Sequence, residues 1–324
     1  MSIQVKDLTL LIANPWVDSY AELISKRFPD LNIIKTKLLN EEKQAISSDV
    51  SGVDIILSFT PLVASQPKMK QLKWFQSLAA GFDHIIKSGV LTRDVILTSA
   101  AGVAATGISE FTIAMMLAFA KKVPMLVRNQ AKKEWGFWCS DELNGKTLGI
   151  LGLGNLGQPL ARKAKLGFDM TVVAYDKFIT EYEYTDRVSS RLTDILDVSD
   201  FLVVTLPLND ETENLLGEKE FRKMKSNAFF INMARGEIVD KTALLTALKE
   251  KWIAGAALDV YWGNDPSEMV LPQEDELWDL DNVIISPHTA WFSENYASRC
   301  VELFCANLEK FIRGDSLMNQ ISWQ

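Results

Sequence analysis

The sequence predicts an α/β fold with parallel sheets, divided between two domains. Two observations carry this. Apolar runs of β type alternate with helical patterns through most of the chain, which is the signature of parallel strands joined by crossover helices. The 324 residues, 48% of them hydrophobic, are also enough for two cores of ordinary size.

The first series starts near the N-terminus. Residues 8–14 (LTLLIAN) read as a strand and 18–28 as a helix, followed by strands over 31–37, 53–59 and 72–78. Residues 110–122 read as a long helix with Ser109 as its N-cap. That helix is apolar around its circumference, which predicts burial on several sides and suits a linker between domains. A second series begins at Thr147. TLGILGLG is a strand running into a glycine loop, and 158–166 is a helix. Further strands are expected at 171–176, 201–207, 228–234, 255–260 and 282–287, and a helical pattern runs from 292 to about 313. The expected division is 1–103 plus 292–324 for one domain and 104–291 for the other, with the final helix returning to the first.

The formal net charge is −8, so the surface repels phosphate backbones and anionic lipid. Nucleic acid and membrane are therefore not expected partners. An anionic substrate would need local positive charge or backbone N–H groups. The three cysteines, Cys139, Cys300 and Cys305, have no metal-knuckle spacing and suit a reducing cytosol. The N-terminus reads as a strand rather than a signal peptide, and the longest apolar stretch, 111–120, is too short to span a bilayer. These features predict a cytoplasmic protein.

The glycine loop Gly152-Leu153-Gly154-Asn155-Leu156-Gly157 has G-x-G-x-x-G spacing, follows a strand and opens a helix. Gly152 would permit the tight turn, Gly154 the approach of a pyrophosphate, and Gly157 close packing of helix on strand. The N–H groups of Asn155 and Leu156, with the helix dipole, would hold the anion. Asp176 ends the next strand, where a ribose-reading acid is expected, and favours NAD over NADP. Lys177 beside it works slightly against that preference.

Three more strand ends carry polar residues. Arg235 follows AFFINMA, and its planar guanidinium suits a carboxylate or a ketone oxygen. Asp259 ends GAALD, and His288 follows NVIISP. The chain has only one other histidine, His84, whose apolar neighbours favour a structural role.

Together these segments resemble the D-isomer-specific 2-hydroxyacid dehydrogenases. The carrying stretches are LGILGLGNLGQPLARKAKLGFDMTVVAYD, FLVVTLPLNDETENLLG, FINMARGEIVDKTALLTALKEKWIAGAALDV and NVIISPHTAW. The resemblance implies two Rossmann-like domains with an active-site cleft between them, NAD as cofactor and a 2-oxo or 2-hydroxy acid as substrate. It implies that Arg235 binds the substrate carboxylate and carbonyl, that His288 is the acid/base, and that no metal is needed. It also implies that the backbone of Ala80 and Gly81 holds the carboxylate. Thr205, Leu206, Pro207, Met233, Ala234 and Asp259 would touch the cofactor. Members of the family dimerise through the cofactor domain, which here means the helix 109–121 and the arm after it.

The family's glutamate that pairs with the histidine precedes a proline. Here Asp265 holds that place, but the spacing from Asp259 is one residue longer, and strict counting lands on Asn264. Asp265 is favoured, because a carboxylate beside His288 would raise its pKa. Side-chain selectivity would come from loops near Pro61, 79–82 and Trp291. PHTAWFSE also resembles the family's corepressor branch, so an NAD(H)-sensing regulatory protein is the alternative reading. A formate dehydrogenase is disfavoured, because LAAGFD (78–83) lacks the asparagine of that branch.

Overall fold

A computed structural model describes residues 3–38, 50–62, 69–82, 85–86, 88–89, 91–92, 94–263 and 270–322. His84, Asn264 and Asp265 lie outside the described residues. The chain forms two units, Met1–Ala104 with Ser293–Gln324, and Ala105–Phe292.

The first unit is built on a five-stranded parallel sheet. Its strands are β1 (Thr9–Ala13), β2 (Asn32–Thr36), β3 (Ile55–Ser58), β4 (Trp74–Ser77) and β5 (Ile96–Thr98), in the order β2-β1-β3-β4-β5. β3 and β4 are buried along their whole length, as expected where helices cover both faces of a parallel sheet. Helix α1 (Val17–Arg27) follows β1. The last helix, Tyr296–Arg313, also belongs to this unit, and Phe304 stacks on Trp74 of β4 with ring centroids 5.1 Å apart. A buried polar chain adds to that packing. Trp74 Nε1 donates to Thr98 Oγ1 (2.7 Å), Thr98 donates to Gln76 Oε1 (2.8 Å), and Asn307 Nδ2 donates to the same oxygen (3.2 Å). Cys300 and Cys305 are buried in this helix, and burial pushes both thiols up to about 11.

In the second unit helices α2 (Ala105–Ala120) and α3 (Val123–Lys132) precede the sheet. The sheet then runs β6 (Thr147–Leu151), α4 (Gly157–Phe168), β7 (Thr171–Tyr175), β8 (Arg187–Ser189), α5 (Thr193–Leu196) and β9 (Phe201–Val204). It continues with α6 (Glu218–Phe221), β10 (Phe229–Asn232), α7 (Lys241–Lys249), β11 (Gly255–Leu258) and β12 (Val283–Ile285). The last helix of the chain, Tyr296–Arg313, is α8. All seven strands are parallel, in the order β12-β11-β10-β9-β6-β7-β8. Alternate strand residues feed two apolar clusters, one per face. Leu202 and Val204 enter one, and Phe201 and Val203 the other. The strand order reverses between β6 and β9, which is the switch point where open α/β sheets bind ligands.

Three expectations are corrected. Helix α2 begins at Ala105, and Ser109 is not its N-cap. Ser109 is a buried interior residue whose Oγ donates to Thr106 O (2.9 Å). Only one face of α2 is fully buried, that of Ser109, Thr112, Ile113, Met116 and Ala120, although the sequence is apolar all round. The strands β5 and β8 were not anticipated. Each is three residues long and lies at a sheet edge, too short to show a period. No helix among the described residues is long and apolar enough to cross a membrane.

Candidate active site

Because β6, β7 and β9–β12 are parallel, their carboxyl ends fall on one edge of the second unit's sheet. The strand order sets out the polar residues there in sequence: Asp176 after β7, the glycine loop after β6, Thr205 to Pro207 after β9, Met233 to Arg235 after β10, Asp259 after β11 and His288 after β12.

The glycine loop is held from both sides. Gly152 has φ +103°, which an L side chain rarely adopts, and its N–H donates to Tyr175 O (2.8 Å). Thr205 Oγ1 lies 2.7 Å from Gly152 O and donates to it. A Cβ on Gly157 would stand 2.0 Å from Gly152 O, so this close approach requires glycine. Gly154 differs, since a Cβ there would meet nothing within 4 Å. The fold therefore demands glycine at 152 and 157 but leaves space at 154 for something that is not protein. Gly154 and Asn155 are exposed, Leu156 is half-buried, and α4 starts directly behind them with first-turn N–H groups that have no partner inside the helix. That cradle fits a pyrophosphate.

Asp176 closes the loop. Its Oδ2 accepts from Leu153 N (2.8 Å), and its Oδ1 accepts from Phe178 N and Ile179 N (2.9 Å each). Burial pushes this carboxyl up, but the N–H groups of Ile179, Leu153 and Phe178 outweigh burial and hold it below its ordinary value. Asp176 is thus charged at neutral pH. Lys177 pairs with Glu211 (2.9 Å), which offsets the positive charge beside Asp176.

At the end of β10, Asn232 shapes the turn that carries Arg235. This residue is 1% exposed; its Nδ2 donates to Arg235 O (2.8 Å) and its Oδ1 accepts from Ala234 N (3.0 Å). Met233 and Ala234 are buried and Arg235 is half-buried. Arg235 Nη1 donates to Ala234 O (2.8 Å). Gly236 follows because a Cβ there would lie 2.4 Å from the Tyr261 backbone.

Asp259 is 3% exposed, and both its oxygens hold the turn after β12. Oδ1 accepts from Ser286 Oγ (2.6 Å) and Thr289 N (2.9 Å), and Oδ2 accepts from Ala290 N (3.0 Å). His288 sits inside this clamp with φ +52°. For a non-glycine residue that conformation costs about 1–2 kcal/mol, and bonds on either side of His288 sustain it. Burial lowers the pKa of His288, the Asp259 charge raises it, and the Arg235 charge lowers it. The net direction is down. Arg235, Asp259 and His288 thus form one electrostatic group on three consecutive strand ends.

Asn232, Ser286 and Gly236 were not anticipated as supports of the site. A buried polar residue closing an apolar strand, as in FFIN, was the available signal for Asn232. The anticipated Ala80 and Gly81 lie in the first unit, at the carboxyl end of β4, and Pro61 follows β3 in the same unit. Trp291 packs edge-on against Phe292 in the second unit (centroids 5.2 Å apart).

Comparison with known proteins places the chain in a family. Residues 113–290 match the family model described as D-isomer specific 2-hydroxyacid dehydrogenase, NAD binding domain. A glyoxylate reductase of Korarchaeum cryptofilum is 33% identical over 296 residues, 86% of this chain and 86% of that protein. A glyoxylate reductase of Thermofilum pendens is 35% identical over 258 residues, 75% of this chain and 73% of that protein. Among solved structures, a D-isomer specific 2-hydroxyacid dehydrogenase family protein of Aeromonas salmonicida superposes with TM-score 0.85 at 29% identity, covering 97% of this chain and 99% of that one. A relative from Xanthobacter autotrophicus, in complex with NADPH and MES, superposes with TM-score 0.83 at 25% identity, covering 97% of each chain. With the glycine cradle and the Arg235–Asp259–His288 group in place, the chain belongs to the D-isomer-specific 2-hydroxyacid dehydrogenases, NAD-dependent oxidoreductases that reduce 2-oxo acids to D-2-hydroxy acids.

Proposed function

We propose that this chain reduces glyoxylate, or a 2-oxo acid of similar size, to the corresponding 2-hydroxy acid with NADH. The observation that carries the reading is the row of strand ends that sets a pyrophosphate cradle beside Arg235 and a clamped His288. The size of the acid is argued from relatives named glyoxylate reductase at 33–35% identity over most of the chain.

In this reading Arg235 binds the substrate and polarises its carbonyl. In the first unit the backbone N–H groups of Ala80 and Gly81 are the carboxylate-holding segment. A nicotinamide cofactor held by the glycine loop would supply the hydride when bound. His288 gives a proton to the developing alkoxide and takes it back in the reverse direction. Asp259 fixes the turn that aims the imidazole, and Asp265, or Asn264 in its place, would orient the ring. Asp176 reads the ribose and disfavours a 2′-phosphate. The ion pair of Glu211 with Lys177 supports the same preference, because that lysine is already offset.

A panel of 2-oxo acids assayed with NADH, from glyoxylate through pyruvate to bulkier acids, tests the reading. His288→Ala should lower kcat by at least about a hundredfold, the scale of general acid–base catalysis, with NADH binding kept. A chain that binds NADH yet turns over none of the acids would instead be a nicotinamide-sensing protein.

We also infer that the protein works as a cytoplasmic homodimer. The dimer is supported by the exposed apolar arm that follows α2, and the compartment by the cysteine usage. Cell fractionation with activity assays would test the compartment.

A further inference from the structure

The hydroxyl of Tyr296, the first residue of α8, donates to the backbone oxygen of Leu78, 218 residues away in sequence. Tyr296 is 5% exposed and Leu78 is 1% exposed. A buried carbonyl needs a donor, so the groups at the end of β4 can be accounted for one by one. Leu78 N–H goes to Ser58 O of β3 (2.9 Å). Ala79 N–H goes to Ser77 Oγ (3.1 Å). Ala79 O accepts from Ala100 N–H (2.9 Å), just beyond β5, and also from Ser77 Oγ (3.2 Å). The donor for Leu78 O comes from a side chain of another element, Tyr296. Ala80 and Gly81 follow immediately.

We propose that Tyr296, with Ser77, is a positioning residue for the substrate's carboxylate. The two hydroxyls pin the Leu78 and Ala79 peptides, so that the next two N–H groups are presented in a fixed place. This rests on the reading of Ala80 and Gly81 as the carboxylate-holding segment. Tyr296 stands eight residues after His288, where the chain has just re-entered the first unit. One short segment therefore carries both the proton-transfer residue and the anchor of the carboxylate loop.

Packing alone does not explain the hydroxyl. Tyr20 of α1 is also buried, at 1% exposure, and its hydroxyl lies against the Cys300 thiol with no oxygen or nitrogen partner among the described residues. Cys300 lies beside both tyrosines. Of two neighbouring buried tyrosines, one donates to the substrate loop and the other does not, which provides an internal control.

The test uses the full-length protein with glyoxylate and NADH, comparing Tyr296→Phe, Ser77→Ala, Ser77→Thr, Tyr20→Phe and Gly81→Val. Tyr296→Phe should raise the KM for glyoxylate about tenfold, the scale of one buried hydrogen bond. The KM for NADH should stay within about twofold. Ser77→Ala should act in the same direction, and Ser77→Thr, which keeps the hydroxyl, should restore the wild-type value. Tyr20→Phe should leave every constant unchanged. If Tyr296→Phe cannot be recovered folded, the Ser77 pair decides. An unchanged glyoxylate KM, or equal effects on the KM for glyoxylate and for NADH, would overturn the proposal while Gly81→Val still raises the glyoxylate KM. An unchanged glyoxylate KM in Gly81→Val would overturn the carboxylate reading itself, and the proposal with it.

Discussion

In the acid/base role proposed for His288, its protonation state sets the pH dependence of the rate in each direction. Burial and the Arg235 charge hold its pKa below the ordinary value, against the pull of Asp259. Reduction needs the imidazolium, so kcat/KM for the oxo acid should fall as pH rises through that lowered pKa. Oxidation needs the neutral ring, so kcat/KM for the hydroxy acid should rise through the same midpoint. Asp259→Asn removes the charge that raises the pKa and should move both midpoints to lower pH. With only two histidines in the chain, the imidazole titration can also be followed directly by NMR. A midpoint that moves up in Asp259→Asn would contradict this balance. Cofactor choice also rests on single residues. Asp176→Ala should raise the KM for NADH more than that for NADPH, and adding Glu211→Gln, which frees Lys177, should shift the preference by about another tenfold toward NADPH. An NADH/NADPH ratio of kcat/KM that ignores both changes would remove Asp176 and Glu211 from the selection.

The glycine loop is an element in which fold and binding can be separated. Gly157→Ala drives a Cβ into the Gly152 carbonyl, so it should lower the melting temperature as well as NADH affinity. Gly154→Ala meets no protein atom and should melt like the wild type, while binding NADH at least about tenfold more weakly. Thermal melts and NADH fluorescence titrations on the two variants check this. The same contrast explains what the sequence discloses. Parallel strands covered on both faces are continuous apolar runs, so β1, β6, β9 and β10 were legible. The polar residues just past β7, β10, β11 and β12 pointed to Asp176, Arg235, Asp259 and His288. Three-residue edge strands such as β5 and β8 carry no such run. The start of α2 was misplaced because Ser109, a favourable capping residue, satisfies its hydroxyl inside the helix. The supports of the site were not legible either. Asp259 reaches Ser286 and Thr289 across 27 and 30 residues, and Gly236 yields to the Tyr261 backbone. Such contacts depend on which strands become neighbours, which local periodicity does not encode.

Among the described residues, the arm after α2 exposes apolar side chains that neither core covers. Helix α3 has no fully buried residue, and Val123, Leu126 and Val127 are 42–60% exposed. Trp135 and Phe137, just beyond it, are wholly exposed at 101% and 102%. Contiguous apolar surface of this kind marks a binding face rather than a solvated one. In the same unit, α2 and α4 border an open groove of about 490 Å³ lined by Ile113, Leu166 and Phe168, with Glu110, Arg162 and Lys163 around it. An isologous pairing of two copies would let the apolar surface near this groove and the arm of each chain be covered by the other. Aromatic anchors with a charged rim are the pattern of a specific interface. Trp135→Asp combined with Phe137→Asp should therefore give a folded monomer by light scattering, with the far-ultraviolet circular dichroism of the wild type. Arg235, Asp259 and His288 lie elsewhere in the unit and are left untouched, so NADH binding should survive. A double variant that stays dimeric would exclude these aromatic residues as the anchors of the pairing.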